Sequence, residues 1–130
     1  MKVLLRSSLI AILVLSGPAS GTEVPSGQEI SLHEVLVDAQ GDKTWLRFRF
    51  LAPQIARGET QIPFDLAGDD MLHLCDTFVL PYMDEYALAA DKIVISLMDR
   101  ITEFGHPDPD ATQYFESFRT ENGVCIWDDF

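Results

Sequence analysis

The chain has 130 residues, 21 of them Asp or Glu against nine Lys or Arg, a formal net charge of −12 and a hydrophobic fraction of 47%. That length is one domain's worth. The acidic balance argues against binding to nucleic acid or to anionic membrane surfaces, because both need clustered Lys and Arg to neutralise phosphate.

The amino-terminal residues have the layout of a cleavable signal peptide over residues 1–21. Lys2 and Arg6 form a positive n-region, Leu9 to Leu15 an apolar h-region, Gly17-Pro18 a helix breaker, and Ala19-Ser20-Gly21 the small-x-small pattern that signal peptidase accepts. The uncharged stretch from Ser7 to Thr22 is 16 residues, short of the roughly 20 that a membrane span needs, so no stable membrane anchor is expected. Cleavage leaves a single domain over residues 22–130 with seven basic and 21 acidic residues, a net charge of −14. Such a charge keeps a small exported protein soluble and monomeric; a basic partner or surface cation binding are the other uses it allows. Two cysteines, Cys75 and Cys125, remain in that domain, and an even count in an exported chain favours a disulfide between them over a metal site or a nucleophile.

After the irregular lead-in Thr22 to Gln28, Glu29 to Asp38 reads as a strand whose alternation breaks near His33-Glu34, at a bulge. Gln40-Gly41-Asp42-Lys43 is a turn. Thr44 to Leu51 alternates cleanly, with Leu46, Phe48 and Phe50 on one face and Trp45, Arg47 and Arg49 on the other. Ala52 to Pro63, with two prolines and Gly58, is a loop containing one helical turn at Gln54 to Arg57. A helix follows with Asp65 as N-cap, Asp69 and Asp70 in its early turns, and a buried stripe of Met71, Leu74, Cys75, Phe78 and Tyr82. Pro81 removes a donor and clashes one turn back, so the helix kinks or restarts there and runs on to about Leu88.

Lys92 to Arg100 is β-branched and apolar on both faces, which suits a central strand. Gly105 to Asp110 is a loop, and Gln113 to Thr120 and Val124 to Asp128 flank Asn122-Gly123, the strongest short hairpin signal in the chain. A two-residue turn there sets Arg119 opposite Ile126 and Phe118 opposite Trp127, and puts Tyr114, Phe118, Cys125 and Trp127 on one face. One cysteine then lies on the helix stripe and the other on the sheet's core face, so disulfide and architecture agree. The expected fold is α+β: a mostly antiparallel sheet of about five strands, in the order ββαβββ, with one kinked or split helix on one face.

No motif for a nucleophile elbow, zinc helix, phosphate loop or C-x-x-C pair occurs, so no cofactor, metal or catalytic residue is nominated. His73 has Asp69, Asp70 and Asp76 at helical spacing, but a third metal ligand is missing and a solvated acid–histidine face explains the pattern. His106-Pro107-Asp108-Pro109-Asp110 gathers ligand atoms in a stiff loop, yet too few for calcium, and it is ordinary turn chemistry. The least ordinary feature is the stripe Trp45, Arg47 and Arg49, residue types enriched at binding hot spots. It serves either to dock an envelope protein or an anionic ligand, or merely to pair its arginines with acids such as Glu34 or Glu116 while Trp45 packs under the loop after Leu51.

The run Trp45 to Ile55, Leu74-Cys75, Ile93 to Arg100 with Phe104-Gly105, Gln113 to Glu116 and Cys125-Ile126-Trp127 resembles a family of small exported alphaproteobacterial proteins of unknown function, over nearly all of the chain after the leader. The resemblance implies a single exported domain in the bacterial envelope and transfers no functional residue. The resulting expectation is a non-catalytic periplasmic accessory or binding protein; the alternative is a small hydrolase or cation-dependent enzyme built from dispersed Asp and His.

Overall fold

The computed structural model describes residues 11–12 and 21–130. The leader expected over residues 1–21 therefore lies, save for Ala11, Ile12 and Gly21, outside the described residues. Its strands are β1 (Ala11–Ile12), β2 (Ser31–Gln40), β3 (Lys43–Leu51), β4 (Lys92–Met98), β5 (Gln113–Glu121) and β6 (Val124–Asp128), lying side by side in that order. Five of them are the expected ones; β1 adds two residues at the outer edge of β2, pairing Ala11 with Leu36 and Ile12 with Val35. Every neighbouring pair is antiparallel except β3 and β4, which are parallel and so need a crossover, supplied by the helical layer between them.

The two hairpins follow their turn residues. Gly41 takes φ +64° at the first central position between β2 and β3, the place where a II′ turn puts glycine. At the other hairpin Asn122 (φ 53°) and Gly123 (φ 79°) both lie in the left-handed region, as a I′ turn demands, and the register sets Phe118 opposite Trp127 and Arg119 opposite Ile126. The break in alternation at His33 is a bulge between Leu32 and Glu34.

The helical layer is continuous from residue 64 to 85: α1 (Phe64–Leu74), a π segment (Cys75–Val79) and α2 (Leu80–Glu85). Asp65 is not the N-cap. Pro63 holds that place in extended backbone, so Asp65 falls in the first turn, where the helix dipole still favours its charge. Pro81 lacks the N–H that would bond Thr77, and just before it the Leu80 N–H reaches back five residues to the Cys75 carbonyl, which widens the turn into the π segment.

Met71, Leu74, Cys75 and Val79 from this layer are fully buried against Leu46, Phe48, Phe50, Ile93, Ile95, Leu97 and Phe118 of the sheet. Tyr82 meets Phe48 edge-on at 5.4 Å and Phe78 meets Phe50 at 5.6 Å. Cys75 and Cys125 stand at disulfide distance, 2.07 Å between sulfurs and 6.1 Å between Cα atoms, joining helix to β6. Asp76 reinforces the junction by accepting the Cys125 N–H at 2.8 Å. Asp70 is wholly buried and takes hydrogen bonds from the Ser26 N–H and hydroxyl and from Gln28 Nε2 at 2.6–2.9 Å, so it ties the lead-in to α1 rather than serving the helix dipole from the surface.

Candidate functional site

The odd-numbered residues of β3 point away from the helix, and alternation puts Glu34, Leu36 and Asp38 of β2, Val94, Ser96 and Met98 of β4, and Gln113, Phe115 and Ser117 of β5 on the same outer face. Part of that face is covered. After Met98 the chain turns back over the sheet as the loop 99–112, anchored at its neck by Asp99, whose N–H donates to the Thr112 carbonyl at 3.1 Å and whose Oδ1 accepts the Thr112 N–H at 2.9 Å. Arg57 holds the far end by donating to the Pro109 and Asp110 carbonyls at 3.1 and 2.9 Å. The loop explains why β4 is buried on both faces although only one meets the helix.

The three residues of the expected stripe meet three different environments. Arg49 is 4% exposed: one terminal nitrogen donates to Glu34, the other to the Thr102 carbonyl and hydroxyl at 2.8 and 2.9 Å. Both terminal nitrogens are thus engaged, and Arg49 fastens the loop to the sheet. Arg47 donates through Nε to Asp38 at 2.8 Å, while its guanidinium lies 5.4 Å from the Trp45 ring centre and 5.2 Å from that of Phe104. Among the described residues its two terminal nitrogens have no hydrogen-bond partner. Trp45 packs not under the loop after Leu51 but beside the chain terminus, 6.5 Å from the Phe130 ring and under the Lys92 ammonium at 5.2 Å. Glu34 is the acid that Arg49 takes, whereas Glu116 sits opposite Ile95 on the helix-facing side, out of reach of the stripe. Burial there raises the Glu116 pKa above the usual carboxylate value.

Between the loop and the sheet lies a cavity of about 310 Å³, lined among others by Arg47, Ser96, Phe104, Pro107, Gln113 and Phe115. It falls at the lower end of the range for small-ligand pockets. Ser96 is nearly buried at its floor, and neither its hydroxyl nor the Gln113 amide bonds another described residue. Phe104 and Phe115 are 38% and 47% exposed and form apolar walls. Phe104 also borders a second, shallower cleft toward His33 and Leu36, so it stands as a partition across the outer face.

The other clusters resolve into structural roles. Asp70 and Asp76 turn from His73 to the lead-in and to β6. Asp108 accepts the N–H of Asp110 in an ordinary Asx turn, and His106, whose Nδ1 lies 3.3 Å from the Phe104 carbonyl and 3.8 Å from Glu103, lines the cavity. Among the described residues no three His, Cys, Asp or Glu side chains converge as metal ligands would. Sequence reasoning missed Phe104, Ser96 and Phe115 as site residues. Their only prior signal is an aromatic side chain beside Gly105 and two prolines in a loop too stiff to be a plain connector.

The family model described as Family of unknown function (DUF6497) matches residues 10–130, and the chain belongs to that family. No curated protein and no solved structure matches it.

Proposed function

We propose, for this member of a family of unknown function, a role as a monomeric periplasmic binding protein, exported by its leader, whose ligand site is the outer-face cavity over Arg47 and Phe104. The observation that carries this is a cation held in place whose charge is paired with Asp38 but whose terminal nitrogens are unengaged among the described residues. The Arg47 guanidinium lies 5.4 and 5.2 Å from the Trp45 and Phe104 ring centres, is tethered by Asp38 through Nε, and leaves its two terminal nitrogens for a ligand at the rim of a preformed cavity. Export is supported by the n-, h- and cleavage-region pattern of residues 1–21 and is compatible with the disulfide-distance cysteines. Among the described residues no helix is long and apolar enough to cross a membrane.

A catalytic use of dispersed Asp and His has less behind it. Among the described residues neither the His73 nor the His106 ring hydrogen-bonds a Ser, Thr or Cys side chain, and the carboxylates near them are engaged in structural hydrogen bonds or exposed to water. The test is an amide-resolved NMR survey of the purified protein against a fragment panel. Shifts clustered on Ser96, Thr102, Phe104 and Gln113 support the cavity as the site; hits scattered over the surface, or confined elsewhere, would sink it.

A further inference from the structure

We infer that the cavity's ligand is a small monocarboxylate with a flat or branched apolar body, its carboxylate taken by the two terminal nitrogens of Arg47 and its body laid between Phe104, Phe115 and Pro107. This rests on the reading of the cavity as the ligand site and adds the chemistry of what fills it.

Of the two arginines lining the cavity, Arg49 is 4% exposed and has both terminal nitrogens engaged by Glu34 and Thr102, so it presents no free terminal pair to a ligand. Arg47 gives only Nε to Asp38. With Nε given to Asp38, the two terminal nitrogens form the remaining edge of the guanidinium, beside the Trp45 and Phe104 rings at 5.4 and 5.2 Å, and two parallel N–H bonds from that edge match the two oxygens of a carboxylate.

Charge then limits the anion. Asp38 already balances Arg47, Glu34 balances Arg49, and Glu103, 77% exposed, adds a solvated negative charge near the rim. In a chain of net charge −12 such a site accepts one negative charge on a bidentate arginine but repels a second, which disfavours phosphate dianions. The apolar half follows from the walls. Phe104 and Phe115 are 38% and 47% exposed and both line the cavity, so an apolar body there removes part of that area from water, and about 310 Å³ admits one ring or branched chain rather than a peptide. Ser96 at the floor supplies a hydroxyl for one further polar atom of the ligand.

The experiment titrates the purified protein by calorimetry and NMR with phenylacetate, 3-phenylpropionate and isovalerate, with the uncharged amide of each, and with phenyl phosphate. The expected result is carboxylate binding with shifts at Phe104 and Phe115, at least about tenfold weaker binding of the amides and of the phosphate, and loss of the carboxylate–amide difference in Arg47→Gln. Should Arg47→Gln fail to fold, Phe104→Ala in the half-exposed loop is expected to weaken carboxylate and amide alike. Amides that bind in the cavity as well as the acids overturn the carboxylate assignment and leave the cavity reading standing. Phosphate binding tighter than carboxylate overturns the charge argument. Absence of binding by the whole series overturns this inference, and only if the fragment survey is also empty there does the cavity reading fall with it.

Discussion

Two side chains show how burial decides what an ionisable residue does. Arg49 and Glu116 look alike in pattern, one charged residue in each of two amphipathic strands, yet the first is buried with partners and the second is half-buried with none among the described residues. Arg49 therefore acts as a structural pin between β2, β3 and the 99–112 loop. Glu116 instead has its pKa raised by desolvation, so the folded state holds the proton more tightly than the unfolded chain does. Its contribution is fully present below the unfolded carboxylate pKa and is lost as pH rises through the higher folded value. Glu116→Gln is accordingly expected to raise stability at neutral pH and to flatten the decline that sets in as pH rises above the ordinary glutamate pKa. Urea unfolding of both proteins at several pH values checks this, and an unchanged profile would mean that water reaches the carboxylate freely.

At the level of elements, turn chemistry and helix breaking were legible residue by residue. Asn122-Gly123 specified its hairpin to the register, and Pro81 specified an irregular helix, although not that the irregularity is a π segment. The helix start was displaced by two residues, because Pro63 reaches the boundary before Asp65 does. Gly123 offers a clean test of the turn: a Cβ added there meets nothing within 4 Å, so any penalty is conformational rather than steric. Gly123→Ala at φ 79° is expected to cost about 1–2 kcal/mol, read as a lower denaturation midpoint with the disulfide intact. No loss would mean that the hairpin relaxes to another turn without penalty.

For the molecule as a whole, residues 22–130 hold five of the six strands among the described residues, and residues 11–12 supply only the two-residue β1 pairing at the edge of β2. Export with cleavage after Gly21 is expected to yield a chain beginning at Thr22 that unfolds in one cooperative transition. Intact-mass measurement of the protein recovered from the periplasm of an expressing bacterium, followed by thermal unfolding, checks both points. A retained leader, or a broad non-cooperative transition, contradicts them. β2 is then an edge strand, and its bulge at His33 is the kind of device that discourages edge-to-edge pairing.

The acidic composition, the strand and helix order, the hairpin register and the Cys75–Cys125 pairing were readable from the sequence, because each rests on short-range periodicity, on turn residues with a forced backbone, or on two patterns that agree. The stripe of Trp45, Arg47 and Arg49 was readable as a stripe, but its use was not. Whether each side chain is buried, saturated or open depends on the 99–112 loop, whose residues carry no period and whose path over the sheet is set by Arg49, Arg57 and Asp99 reaching across about 50, about 50 and 13 positions of chain. Those long-range hydrogen bonds build the cavity and, among the described residues, leave the Arg47 terminal nitrogens unengaged beside it, and contacts of that range form only when the chain is folded.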